Sequence, residues 1–535
     1  MDTLFSGKKV LILEKQMDDL QRLRDLLTGL GFRQIEVASS VNMALSILRE
    51  RRIDLCFMAH DLGRGEKSGL QVMPEAQAEG IRRYATGFVL LADPEAAALL
   101  FGSLEHSPDL CISKPYSTAR LRQMIEKLLR LKQVLKPLDE LMDGHNWPAA
   151  LQLCDRKMQA FPALTVFLLR FKGIILLRLE RYGEAREVFE QLLESRDQHW
   201  MRVGAGVAAY REGRFNLAHD YLGAVIDQQQ VSIDAFNWLA RLHRLRGELG
   251  LSLTLLRKSV LLQPSVAVLQ GELGNVAARL GEWRLATDAF RAAIRFGRYS
   301  AFQVPDYYYA LARALAERVA ELQGESLAAE TEAEAVRVLE QVITDFGHDR
   351  VVQFNSRLLL ANLLRRSGEL PRAEQAARAA LELFLALPLD DQAQWIEPLG
   401  DELEPSTLAP RVAALRHELT RKMVGIAWAR ANLKGMLHFR KAELERARDA
   451  FAAALRARPG NPGIGLNLVQ AELELIKRGR SPDPLASIRR CDDLLYAIQY
   501  AALSRHPQQR HAALSEQLAA QVQRLARQEV SDAGE

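Results

Sequence analysis

Small residues recur at Gly173, Gly206, Ala240 and Gly274, at intervals of 33, 34 and 34 residues. A second series, Ala185, Ala218, Ser252 and Ala286, follows each member of the first by twelve. A fixed period of this length constrains a chain strongly. Each repeat is one supersecondary unit that cannot bury its apolar face alone and must stack on its neighbours. Tyr182, Phe215, Leu249 and Trp283 precede the second series by three residues, and glycine stands just before in GRFNLA, GELGLS and GEWRLA. Pro162, Pro264 and Pro459 lie twelve residues after Ala150, Ser252 and Ala447.

Each residue type has a physical reason. Two antiparallel helices approach closely only where both carry small side chains. The aromatic is expected to fill the hole beside them, glycine to end the first helix in a left-handed turn, and proline to stop the second. The pattern resembles the tetratricopeptide repeat over most of residues 138–480. That resemblance implies an α-solenoid whose concave face, lined by first helices, binds proteins. Asn237, Arg241, Asn275 and Asn362 are the polar positions singled out as a partner-binding groove. Residues 138–385 carry the main run of repeats, with a stretched unit near 300–347. Residues 386–420 break the period with prolines and an acidic bias, and read as an irregular inserted helix pair in preference to a partner-binding excursion. Residues 421–530 restore the repeat around Gly435, Ala447 and Phe451 and end in an amphipathic cap helix.

The first 131 residues follow another pattern. KKVLIL (8–13), RQIEV (33–37), IDLCFM (53–58), TGFVLLA (86–92) and DLCIS (109–113) read as strands between amphipathic helical segments. Near-continuous apolar strands alternating with helices imply a parallel sheet covered on both faces. Pro137 is expected to break the last of these helices and set a boundary at 131–137. The fold class is therefore α/β plus all-α: a doubly wound (βα)5 sheet followed by a long α-solenoid.

Five βα units ending in ISKPY resemble the receiver domain of bacterial two-component response regulators, over about residues 8–131. The resemblance implies a phosphorelay site at the carboxyl ends of the strands, where an aspartate is phosphorylated with Mg²⁺. Position by position, the site departs from the family. The acidic pair falls on Glu14 and Lys15, the hydroxyl on Ala92, the switch aromatic on Cys111, and Lys114–Pro115 matches. Counting forward from Asp54 puts the phosphorylated residue at Ala59; counting back from Gly69 puts it at Asp61. The first is preferred, because two extra residues fit a loop more easily than a central strand. Lys15 and Lys114 are then expected to neutralise the pocket's carboxylates in one cluster, leaving nothing for a divalent ion. This describes a pseudo-receiver. The alternative is a working response regulator phosphorylated on Asp61, with Glu14 holding Mg²⁺. PEAAALLFGSL, on the fourth helix, is the candidate docking or dimer face.

Composition excludes several classes. A net charge of +4, with Lys and Arg interleaved with Asp and Glu, lacks the basic stripe of a nucleic-acid or membrane-surface protein. Cys56, Cys111, Cys154 and Cys491 are scattered, against a disulfide framework or zinc site. No run reaches transmembrane length, and a cytoplasmic location is expected. GRGEKSG has Glu66 where a phosphate-binding loop needs glycine. With no catalytic constellation in the solenoid, the chain reads as a non-enzymatic adaptor without cofactor, whose partners are proteins.

Overall fold

The structure, a computed structural model, describes residues 3–93, 104, 107–227, 232–322 and 327–532. The chain forms two compact units, one of residues 1–242, 255–269 and 295–303, the other of 243–254, 270–294 and 304–535.

The first unit opens with five parallel strands: β1 (Lys9–Leu13), β2 (Gln34–Ala38), β3 (Leu55–Ala59), β4 (Gly87–Ala92) and β5 (Leu110–Ser113). Their order is β2-β1-β3-β4-β5, so the winding reverses between β1 and β3. At such a reversal an open sheet leaves a crevice at the carboxyl ends of its strands. Side chains alternate across the sheet. Val10, Ile12, Phe57 and Val89 pack with Leu23, Leu27, Leu121 and Ile125 on one face. Leu11, Met58 and Leu90 pack with Ala44, Leu45 and Met73 on the other. β3 and β4 are buried along their whole length, which is why their sequences do not alternate. PEAAALLFGSL lies outside the described residues apart from Leu104, so the docking face expected there has no structural account.

One expectation is corrected. Pro137 does not break its helix, which runs unbroken from Thr118–Asp143. Proline removes one backbone donor and pushes away upstream carbonyls. Here the ammonium of Lys157 donates to Val134 O at 2.6 Å, satisfying a carbonyl in that turn. Leu135 before the proline and Leu138 and Met142 beyond it are buried, so packing holds the helix together.

Helical hairpins follow. Each second helix begins where the period predicts: Tyr182–Ser195, Phe215–Asp227, Leu249–Leu262 and Trp283–Gly297. Ala185, Ala218, Ser252 and Ala286 are all buried. The ring that fills the close approach is not the residue starting each second helix, however. It is the one four after the small residue, on the same helical face. A Cβ on Gly173 would lie 2.5 Å from the Phe189 ring, and one on Gly204 would lie 2.6 Å from the same ring. Gly274 stands in this relation to Phe290, and Gly435 to Phe451. Two residues before the second helix, Gly213, Gly247 and Gly281 take left-handed φ of 92°, 81° and 75°. His145, Glu180 and Ala442 make the same turn at φ of 55°, 58° and 58° without glycine's freedom.

Within residues 386–420 the chain forms helix Leu389–Leu403 and begins helix Ala409–Met423. The tail forms helix Arg505–Asp532. The architecture is a small parallel sheet with helices, followed by a long tetratricopeptide-type solenoid.

Two substitutions test this account by chemical denaturation. Ala442→Gly relieves a left-handed alanine and is expected to gain about 1 kcal/mol. Gly173→Ala drives a methyl group into Phe189 and is expected to lose about 1–3 kcal/mol.

Candidate functional site

Glu14 follows β1 and is 2% exposed. Its Oε1 accepts from the backbone N–H groups of Lys15 (2.9 Å) and Gln16 (3.0 Å). Its Oε2 lies 3.4 Å from Lys114 Nζ, which donates to Asp19 Oδ2 at 2.6 Å. Burial works against the Lys114 charge, but the bond to Asp19 and the charges of both carboxylates outweigh it. The ammonium is held above its ordinary pKa. Asp19, in the first turn of helix Met17–Leu30, was not singled out from the sequence. The acidic pair Asp18-Asp19 opening the helix after β1 is the signal that would have found it.

Lys15 departs from expectation. Its ammonium bonds Glu66 Oε1 at 2.8 Å, and both side chains are largely exposed. The cluster thus holds one cation and two carboxylates, not two ammonium groups. Successive residues leaving a strand point to opposite sides, so Glu14 turns inward and Lys15 outward.

Ala59 and Ala92 are the last residues of β3 and β4, and both are buried. Asp61 lies two residues beyond the strand, exposed, with Oδ1 accepting from Gly63 N–H at 2.8 Å. Gly69 brings the chain back: a Cβ there would lie 2.1 Å from Ala59 O, so no other residue fits. The intervening loop is held by the first unit's helical part. Gln71 Nε2 donates to Ser265 Oγ at 2.5 Å, and Arg295 Nη2 to Gly65 O at 3.1 Å.

The four polar residues predicted to form a groove divide between the units. In the first, Arg241 stacks over Tyr210 and Trp238, 5.5 Å from each ring, and donates to Tyr210 Oη at 3.2 Å. Asn237 Oδ1 is buried without a hydrogen-bond partner. In the second, Asn275 donates to Gln499 Oε1 at 2.6 Å and accepts from Ala501 N–H at 3.0 Å. Asn362 donates to Glu402 Oε2 at 2.5 Å. Those two amides are engaged by the chain itself, which corrects their reading as free peptide grips. Elsewhere in the second unit a groove of about 1450 Å³ is lined by Tyr309, Trp395, Trp428, Met423, Met436 and Ile498.

A further cluster joins the sheet to the first hairpin. Lys132 bonds Asp109 Oδ1 at 2.8 Å and Tyr84 O at 2.7 Å, and Asp143 accepts from Tyr84 N–H at 2.5 Å. Beside them Asp139 is 1% exposed, with both oxygens unpartnered. Burial pushes its carboxyl up to about 7, against the opposing pull of Lys132. Among the described residues no group of three or more His, Cys, Asp or Glu is placed to hold a metal, and no helix is long and apolar enough to cross a membrane.

Residues 203–266 match the tetratricopeptide repeat family. No curated relative matches the chain. Among solved structures, the C-terminal part of a TPR repeat-containing protein from Cytophaga hutchinsonii is 16% identical at a TM-score of 0.36, covering 46% of this chain and 95% of that one. A tetratricopeptide repeat protein from Parabacteroides merdae is 13% identical at 0.27, covering 64% and 98%. A thermophilic TPR protein from Thermus thermophilus is 20% identical at 0.22, covering 35% and 95%. Tetratricopeptide repeats are present, and repeats of this type suggest a protein-binding scaffold.

Asp139 gives a signed pH test. Its folded pKa lies above the ordinary value of 3.8, so the folded state holds the proton more tightly. Stability is then lost as pH rises from about 4 to 7. Asp139→Asn, never charged, is expected to be more stable than the parent by a few kcal/mol at pH 8. Thermal melts at pH 8 and pH 5 should show that gain falling to about half or less at the lower pH.

Proposed function

We propose that the chain is a two-component-type signalling adaptor. Its sheet is a receiver that works without phosphorylation, and its repeats bind another protein. The observation that carries the reading is the Glu14–Lys114–Asp19 cluster. At the carboxyl ends of the strands, two carboxylates that would ligate a divalent cation already share a lysine ammonium. Magnesium would have to displace that charge.

The neighbouring positions support the same conclusion. Buried alanines stand at the ends of β3 and β4, where phosphotransfer needs a carboxylate and a hydroxyl. Asp61 sits on the exposed loop, with one oxygen turned onto its own backbone. The sheet half would act through its surface, with no cofactor, and the loop tied to Ser265 and Arg295 would pass its position to the repeats. A cytoplasmic location fits such an adaptor.

Incubation with acetyl phosphate and Mg²⁺ tests this directly. No base-labile adduct should form on the wild-type chain. Labelling that Asp61→Ala abolishes would replace this reading with a phosphorylated response regulator.

A further inference from the structure

The groove of about 1450 Å³ in the second unit is walled by residues of several helices, from Pro305–Glu321 to Arg505–Asp532. Small-molecule pockets usually enclose about 300–1,000 Å³, so this one has room for a segment of polymer. Tyr309, Trp395, Met423 and Met436 give it an apolar wall, and Met436 is 39% exposed. Aromatic rings and methionines are the anchors that protein interfaces favour.

Most charges on the wall are answered within the chain. Arg313 pairs with Glu402, Arg416 with Glu397 and Arg490 with Glu472. Asp401 feels His506 and Arg416, and Arg456 is exposed to solvent. Among the described residues, two desolvated charges have no such answer. Arg510 donates only to neutral amides, Asn467 Oδ1 at 2.9 Å and Gln470 Oε1 at 3.3 Å. Burial lowers its pKa, and no carboxylate acts against that. Asp306, in the first turn of helix Pro305–Glu321, has its carboxyl pushed up by burial, and no cation opposes it. The dipole of that helix offsets part of the cost. Neither charge acts on the other, so the two are separated.

The wall also carries open hydrogen-bonding groups. Among the described residues, the Asn355 amide and the Trp395 indole N–H make no hydrogen bond. Asn432 uses its carbonyl, which accepts from Asn467 at 3.0 Å. Asn362 is tied to Glu402, whereas Asn355, two turns earlier on the same helix, is not.

Resting on the reading of the repeats as protein-binding, we propose that this groove takes an extended protein segment of mixed charge. An acidic group of the segment meets Arg510, a basic group meets Asp306, and apolar side chains lie between. A polyanion such as RNA would meet Asp306, Glu397, Asp401 and Glu402. A wholly apolar ligand would bury both charges without compensation. An extended backbone has N–H and C=O groups to offer Asn355 and Asn432, which a helix has already used.

The test selects random short peptides, displayed on phage, against the full-length chain. Enriched peptides should carry an acidic and a basic residue flanking aromatic or aliphatic ones. A synthetic peptide of that consensus should bind about ten-fold or more weakly to Arg510→Gln, and likewise to Asp306→Asn. Replacing the peptide's acidic residue by its amide should cost as much on the wild-type chain and nothing further on Arg510→Gln. That non-additivity reports the contact even if the variant loosens the fold. Met436→Glu, at an exposed position, should weaken binding of every enriched peptide. The proposal is overturned if no peptide is enriched, if the consensus lacks either charge, or if peptide and chain substitutions act independently. Those outcomes concern the groove alone, whereas Asp61-dependent labelling would remove the receiver reading and leave the groove standing.

Discussion

A phenylalanine ring pressed against the backbone of a neighbouring helix is the contact on which the repeat region rests. Phe189 occupies the notches of Gly173 and Gly204, on two successive first helices, so one side chain joins three helices. The ring is fully buried, and burial of a side chain this size contributes about 1.5–3 kcal/mol. It can do so only where the opposing residue lacks a Cβ. The same glycine–phenylalanine geometry recurs at Gly274 with Phe290, three repeats on, and again at Gly435 with Phe451.

At the sheet the governing interaction is charge placement. Glu14 is buried deeply enough that an unpaired carboxylate would be costly, and Lys114 supplies the cation. Asp19 completes the neutralisation. The loop after β3 then links this region to the helices twice, through Ser265 and Arg295, while Glu66 on the same loop pairs with Lys15. Asp139 is the opposite case, a buried carboxylate without a partner beside the Lys132–Asp109 pair. Its position on the helix that leads from the sheet into the repeats makes that joint sensitive to protonation near neutral pH.

Most of the fold could be read from local pattern. All five strands fall within two residues of the apolar runs that mark them, and the two central ones, β3 and β4, are apolar throughout because both their faces are buried. The second helices start at the residues the period selects for the same reason of close packing. The candidate sites were less legible. Asp19 stands five residues from Glu14, and its approach to Lys114 depends on how a helix is set against a strand ninety-five residues away. Lys15 shows the converse: adjacent to Glu14 in sequence, it pairs with Glu66 on another loop. Pro137 carried a strong local rule that buried leucines and the Lys157 ammonium overrode.

Sequence alone settled the alternation of strands and helices, the repeat length, and the glycines that left-handed turns and close helix contacts demand. These follow from nearest-neighbour sterics and from which residues can be buried, both written locally along the chain. Tertiary structure decided the partners of charged and amide side chains. Asn275 and Asn362 carry polarity suited to gripping a peptide, yet one holds residues 499–501 and the other Glu402. A hydrogen bond depends on where two distant segments come to lie, and no period or local propensity encodes that distance.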